Sequence, residues 1–245
     1  MSSDPTLVSA AHSNHFLSGL PNAELNRLLA GACTEEMEIH HVLFEPHDEL
    51  QYVHFPLSGV ISLVTHLSDG DAVEMATVGN EGVVGLPWAR DSGVASYVRG
   101  ICQVRGASVR VKADRFRQEL SAGGVLAARA GQFDRALFAL VGQNGACNRL
   151  HTINQRCARW MLMTHERVGA DEFNLTHEFL SQMLGARRAS VTEAAAGLQD
   201  LGAITYRRGE IRVLSRAVLE KQTCECYGVV RSVYDGLYQD PASTS

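Results

Sequence analysis

The sequence predicts an α+β chain: an antiparallel β domain, then a long helix, then a small domain of two short helices followed by a hairpin. Three observations carry that prediction. Between Met37 and Lys112, short runs of Val, Ile, Leu and aromatic residues alternate with turn residues. From Asp114 to Gly169, apolar residues recur at helical spacing with one Gly-Gly break. "LGARRASV", Leu184 to Val191, then sets a glycine and two adjacent arginines between two helical stretches. The expected divisions are residues 1–120, 121–150 and 151–245.

Taken in order, "NAELNRLLA", Asn22 to Ala30, spaces its apolar residues as a short helix. The runs "MEIHHVLFEP", "YVHFPLSGVISLVTH", "DAVEMATVG", "VRGICQV" and "ASVRVK" are punctuated by Pro46, Ser58 with Gly59, Asp69 with Gly70, and Gly79. Strands this short, broken this often, build an antiparallel sandwich or barrel. After Gly123 and Gly124 a long helix is expected, with Leu126, Phe133, Leu137, Leu140, Val141 and Asn144 on one stripe. That stripe serves either its own β domain or a helix-to-helix dimer seam, and the small residues Ala136, Ala139 and Gly142 suit the seam. A further amphipathic helix, "HTINQRCARWMLMTHERVG", ends on Gly169 as its C-cap.

Next comes "LTHEFLSQMLGARRASVTEAAAGLQDLGAITYRRGEIRVLS". Thr176 is an N-cap with Glu178 in the first turn, and Leu180, Met183 and Leu184 form the buried face. Gly185 supplies the positive φ of a tight turn. A second helix from Arg187 or Arg188 buries Val191, Ala194, Ala195 and Leu198 and stops at Gly202, and "AITYRRGEIRVL" turns at Arg208 and Gly209 as a wing. Two helices at a tight turn make a helix-turn-helix, whose second helix presents its N-terminal residues to the major groove. Arg187, Arg188, Ser190 and Thr192 occupy that end. An arginine fork matches guanine O6 and N7, a contact worth roughly 1–3 kcal/mol of discrimination. Thr176, Arg207 and Arg208 are assigned to the same DNA-binding surface, the wing arginines toward the backbone.

Charge is distributed accordingly. The net charge is −5 over 245 residues, yet through Val60 the single base Arg27 faces eight carboxylates, while Thr176 to Arg216 holds six arginines against four acids. The acidic part repels nucleic acid and the arginine-bearing part invites it. With 45% apolar and 20% charged residues, and no apolar run long enough to span a bilayer, no membrane partner is expected. The opening residues lack the pattern of a signal peptide, so a cytoplasmic location is expected.

Over nearly its whole length the chain resembles the CRP/FNR family of bacterial transcription regulators, with "LTHEFLSQMLGARRASV" the strongest match. The resemblance implies a β-roll of the jelly-roll, cyclic-nucleotide-binding kind, a long dimerisation helix and a C-terminal winged helix-turn-helix. It implies a homodimer on a palindromic operator, with recognition helices about 34 Å apart, and with double-stranded DNA and RNA polymerase as partners. Arg188 falls on the family's guanine-reading arginine. Ala189 replaces a usual glutamate and Glu193 stands where a second arginine is common, which implies a different operator. "VGNEGVVGLPW", Val78 to Trp88, resembles the family's phosphate-binding cassette, where a Gly-rich turn offers backbone N–H groups to an anion. In that register Gly85 is matched, Leu86 replaces the ribose-binding glutamate, Arg99 aligns with the phosphate arginine and Gly100 replaces a serine. An unpaired ribose hydroxyl costs roughly 1–3 kcal/mol, so cyclic AMP in the family's pose is disfavoured. Another effector and a β-roll kept as a dimer platform both stay open, and no cofactor is expected.

Two rival classes of function stand beside this one. His40, His41, His47 and His54 give no two-His-plus-carboxylate set, "HEFLSQ" lacks the second histidine of a helical zinc motif, and no nucleophile elbow or P-loop occurs, so no enzyme is expected. A β-roll and winged domain used for ligand or protein contacts alone is the other, which salt dependence discriminates. The oxygen-sensing branch of the family holds iron and sulfur on an N-terminal cysteine cluster, and here Cys33 stands alone in that region. "CECY", Cys224 to Tyr227, is expected within a helix that starts near Ser215, where cysteines at i and i+2 diverge and make poor joint metal ligands. No metal is therefore expected, and the role of Cys224 and Cys226 stays open.

Overall fold

The computed structural model describes residues 4–68 and 70–238; Asp69 of the predicted turn and the two ends of the chain lie outside the described residues. Three short helices open the fold: α1 (Pro5–Ala11), α2 (His15–Ser18) and α3 (Asn22–Leu28). Only α3 was expected. α1 and α2 are each started by a side-chain cap: Asp4 accepts from the Thr6 N–H and Asn14 from the Leu17 N–H.

The β domain comprises β1 (Cys33–Met37), β2 (Val42–Phe44), β3 (Tyr52–Pro56), β4 (Val60–His66), β5 (Ala72–Val78), β6 (Arg99–Val104) and β7 (Gly106–Lys112), with the one-turn α4 (Leu86–Ala89) between β5 and β6. The strands form two antiparallel sheets, ordered β1-β7-β3 and β2-β6-β4-β5. Phe16, Phe55 and Phe116 meet in the core, with ring centroids 5.6 and 6.3 Å apart along the chain of three. The first five residues of β4 are all buried, because its sheet is covered on both faces.

α5 (Ala113–Ser121) leads through Gly123 into α6 (Gly124–Leu150), whose 27 residues extend about 40 Å at 1.5 Å per residue. Here the structure corrects the expected dimer residues. Phe133, Leu137, Leu140 and Asn144 are buried by the chain itself, and Val141 is half-buried. Phe133 fills the space where Gly82 has no Cβ, and Asn144 donates to the Met75 carbonyl at 2.7 Å. The apolar stripe is thus the inner face of α6. A helical period reveals that a stripe exists but not which surface it meets.

α7 (Ile153–Val168) starts with a capping box between Thr152 and Gln155 and ends at Gly169 in the left-handed conformation, as expected. The winged domain holds β8 (Glu172–Asn174), α8 (His177–Met183), α9 (Arg188–Asp200), β9 (Ile204–Arg207) and β10 (Glu210–Val213), with sheet order β8-β10-β9. β8 was not anticipated, since three residues carry no readable alternation.

α10 (Arg216–Gln222), capped by Ser215, and α11 (Cys226–Asp235) close the described chain. This corrects the single C-terminal helix. The chain leaves helical geometry at Thr223, where φ is −83° and ψ 171°, so Cys224 precedes α11 and Cys226 begins it. Cys224 and Cys226 therefore do not stand at i and i+2 of one helix. No helix among the described residues is long and apolar enough to cross a membrane.

Candidate nucleic-acid interface

The α8–α9 turn is built by backbone hydrogen bonds that the sequence dictates. Gly185, at φ 53°, donates to the Gln182 carbonyl at 3.0 Å, and Ala186 donates to the Ser181 carbonyl at 2.9 Å. Those two bonds form a Schellman motif, which ends α8 and redirects the chain within two residues. α9 ends the same way: Gly202 donates to Gln199 at 2.8 Å and Ala203 to Leu198 at 3.0 Å. Val191, Ala194, Ala195 and Leu198 are buried, leaving the opposite face of α9 free.

Arg187, Arg188 and Thr192 are exposed on that free face, and Ser190 is half-buried. Arg187 is the N-cap residue and provides no side-chain cap, so the first N–H groups of α9 are not satisfied by it. Arg188 lies 3.8 Å from Glu178, with both side chains about 70% exposed, a loose pair in water. The Thr192 hydroxyl is engaged locally, with the Arg188 carbonyl at 2.9 Å and His177 Nδ1 at 3.1 Å. Thr176 accepts from the Phe179 N–H at 3.1 Å, so its oxygen works first as the cap of α8.

The wing turns at Arg208 and Gly209, with φ of 51° and 84°. Two successive positive φ values are what a two-residue hairpin turn needs to follow the strand twist. Arg207 and Arg208 are exposed and form no ion pair among the described residues, whereas Arg212 pairs with Glu172 and Arg216 with Glu166 and Glu220. Position therefore separates the arginines: four project from α9 and the wing tip, and two are held by carboxylates.

Sequence reasoning missed His177 and Tyr206. Their rings stack at 4.2 Å with 9° between planes, joining the start of α8 to the wing strand β9. Tyr206 also donates to the Leu175 carbonyl at 2.9 Å. Burial first, and Arg188 second, lower the His177 pKa, which keeps the ring uncharged at neutral pH. No local motif announced this pair, because strand and helix positions far apart in sequence meet only in the folded domain.

This geometry is that of a known domain: residues 155–222 match the family model described as the Crp-like helix-turn-helix domain. The chain carries a Crp-like helix-turn-helix domain on the CRP/FNR fold. Three solved structures illustrate the likeness. A protein assigned to the Crp/Fnr transcriptional regulators from Eubacterium rectale superposes with a TM-score of 0.68 at 15% identity, covering 86% of this chain and 98% of its own. FixK2 from Bradyrhizobium japonicum gives 0.67 at 17% identity, covering 79% and 98%. CLP from Xanthomonas campestris, a regulator responsive to cyclic di-GMP, gives 0.65 at 14% identity, covering 80% and 100%. No curated protein matches the chain in sequence.

Within the CRP/FNR fold the expected effector residues fall on two elements, Gly85 and Leu86 at the start of α4 and Arg99 and Gly100 at the start of β6. Gly85 takes φ 95° as the N-cap of α4, and Leu86 is fully buried in the core. Arg99, at the start of β6, is held by Glu45 at 2.7 Å and lines a cavity of about 330 Å³ that includes His66, Glu178 and Gln182 but not Gly85, Leu86 or Gly100. A side chain at Gly100 would meet the Phe44 ring at 2.7 Å. Arg99 thus faces the winged domain rather than a cassette. Phe44 packs against both Gly100 and Trp88 of α4, so an apolar side chain lies between the two elements.

Proposed function

We propose that the chain is a sequence-specific DNA-binding transcription regulator that acts as a homodimer on a palindromic operator. The observation that carries the reading is the four exposed arginines on α9 and the wing tip, carried by a Crp-like helix-turn-helix domain. α9 enters the major groove with Arg187 and Arg188 at the base edges, its positive N-terminal end favours a phosphate, and Arg207 and Arg208 hold the backbone. The resemblance adds RNA polymerase as the protein partner.

The dimer reading rests on the outer face of α6. Phe138 is 81% exposed there, and Gly142 and Gly145 have open space where a Cβ would stand. Mid-helix glycines cost about 1 kcal/mol each relative to alanine, and no close contact within the chain accounts for these two. They allow a second copy of α6 to approach closely around Phe138. For the effector, Leu86 offers a cyclic nucleotide no ribose acceptor, so the reading includes no cyclic mononucleotide in the family's pose.

The test is selection of bound fragments from genomic DNA by the full chain, followed by affinity measurement at several salt concentrations. A palindromic consensus, with affinity falling steeply as salt rises, is expected. Salt-independent binding, or no enrichment of a consensus, refutes the proposal.

A further inference from the structure

The described residues bring four metal-ligating side chains to one point away from the arginines: Cys147, His151, Cys224 and Cys226. Cys147 and His151 lie four residues apart at the end of α6, on one face of its last turn. Cys224 arrives from the irregular stretch between α10 and α11, and Cys226 is the first residue of α11. The four candidate ligand atoms lie within 4.8 Å of one another. Cys147 Sγ is 3.6 Å from Cys224 Sγ, and Cys226 Sγ is 3.4 Å from His151 Nδ1.

We infer that these residues form a tetrahedral Cys3His site for one soft divalent cation of the zinc type. Zinc–sulfur and zinc–nitrogen bonds of roughly 2.3 and 2.0–2.1 Å imply tetrahedral edges of about 3.7 Å between sulfurs and about 3.5 Å between sulfur and nitrogen. The Cys147–Cys224 and Cys226–His151 separations are close to those edges, and all four ligand atoms lie within 4.8 Å. Ligands this close share a single ion and do not reach around a cluster of several irons. The three thiols form a buried group of their own, apart from the main apolar core.

The surroundings fit the same reading. His151 Nε2 stands 3.2 Å from a Glu225 carboxylate oxygen, which fixes the tautomer that leaves Nδ1 facing sulfur. Such carboxylate–histidine–metal relays are the usual support of a zinc histidine. Gln143 donates its amide N–H to Cys226 Sγ at 3.0 Å, and a thiolate is the stronger acceptor for it. A Cys147–Cys224 disulfide is the competing chemistry, but it leaves Cys226, His151 and Glu225 without a reason to converge. The site joins the end of α6 to the segment that follows the wing, with His151 standing in the α6–α7 junction, so the ion fixes the winged domain against the long helix.

The test uses the full chain, reduced, stripped of metal with a chelator and titrated with cobalt(II). One equivalent should bind with the intense d–d bands and thiolate charge transfer of a tetrahedral thiolate site, and one equivalent of zinc(II) should bleach them. Three thiols should become protected from alkylation. Cys224→Ser and Cys226→Ser should abolish the charge-transfer signal, while Cys33→Ser and Cys102→Ser leave it intact. Glu225→Gln keeps all four ligands and should weaken binding about tenfold, which reports on the site even where a cysteine variant folds poorly. Reduced protein that takes up no cobalt, or a signal undiminished in the Cys224→Ser/Cys226→Ser double variant, overturns the assignment.

Discussion

At Gly185 the demands of turn and packing coincide. Its φ of 53° disfavours any side chain, and an added Cβ would also press on Val73 at 3.1 Å. A left-handed non-glycine residue costs roughly 1–2 kcal/mol, and at this chain length each kcal/mol lowers the melting midpoint by about 2–4 °C. Gly185→Ala should therefore lower the midpoint by a few degrees in calorimetry; an unchanged midpoint contradicts the turn as described. The arginines separate by role. Arg188→Ala should lose about 1–3 kcal/mol on the preferred operator and relax preference at one base pair per half-site. Arg208→Ala should weaken all sequences about equally and reduce the salt slope. Binding measured on operator and scrambled duplexes distinguishes the two, and a footprint unaltered by Arg188→Ala removes that residue from the interface.

Among the elements, α6 has two faces with different duties. Its inner face packs Phe133, Leu137 and Leu140 into the β domain, while the outer face presents Phe138, Gly142 and Gly145. Phe138→Asp places a charge at the centre of the proposed seam and should shift the chain from dimer to monomer in sedimentation velocity, with the circular dichroism spectrum kept. Leu137→Asp should instead unfold the β domain, because its site lies inside the chain. If Phe138→Asp leaves the mass in solution unaltered, the seam lies elsewhere.

Across the whole molecule, one buried polar chain ties the β domain to α7. Gln103 donates to Thr164 at 3.1 Å, and the Ser62 hydroxyl lies 2.6 Å from Gln103 Oε1 and 2.7 Å from Glu74 Oε2. Trp160 donates to Glu74 Oε1 at 3.1 Å. The Ser62 hydroxyl has one proton for two acceptors, so it donates to Glu74 or to Gln103, and a protonated Glu74 can supply the second hydrogen bond by donating to Ser62. A protonated Glu74 satisfies every group. Burial, the dominant influence, pushes its pKa up to about 7, against the lowering effects of Ser62, Trp160, Arg167 and Arg159. From pH 4.5 to 7 the folded state holds a proton that the unfolded chain releases, so this group makes stability fall as pH rises through that window. The loss, on the order of 3 kcal/mol, is complete above pH 7. Glu74→Gln keeps both hydrogen bonds without the titration. Its urea midpoint should exceed that of the parent at pH 8 and approach it near pH 4; equal midpoints at both values contradict a protonated Glu74.

The winged domain was legible from Thr176, Gly185 and the burial period of α9 because caps, turns and amphipathic faces are local consequences of residue type. The β domain was legible for the same reason, through its strand runs and turn residues. The inner face of α6, the pairing of Arg99 with Glu45, the His177–Tyr206 stack and the meeting of Cys147 with Cys224 were not. Each depends on which distant segments share a surface, a matter that spacing along the chain does not encode. The sequence by itself determined the elements, their order and the chemistry each could present. Tertiary structure decided which faces are spent on the chain's own core and which thiols, rings and charges meet, because burial is a property of the packed whole.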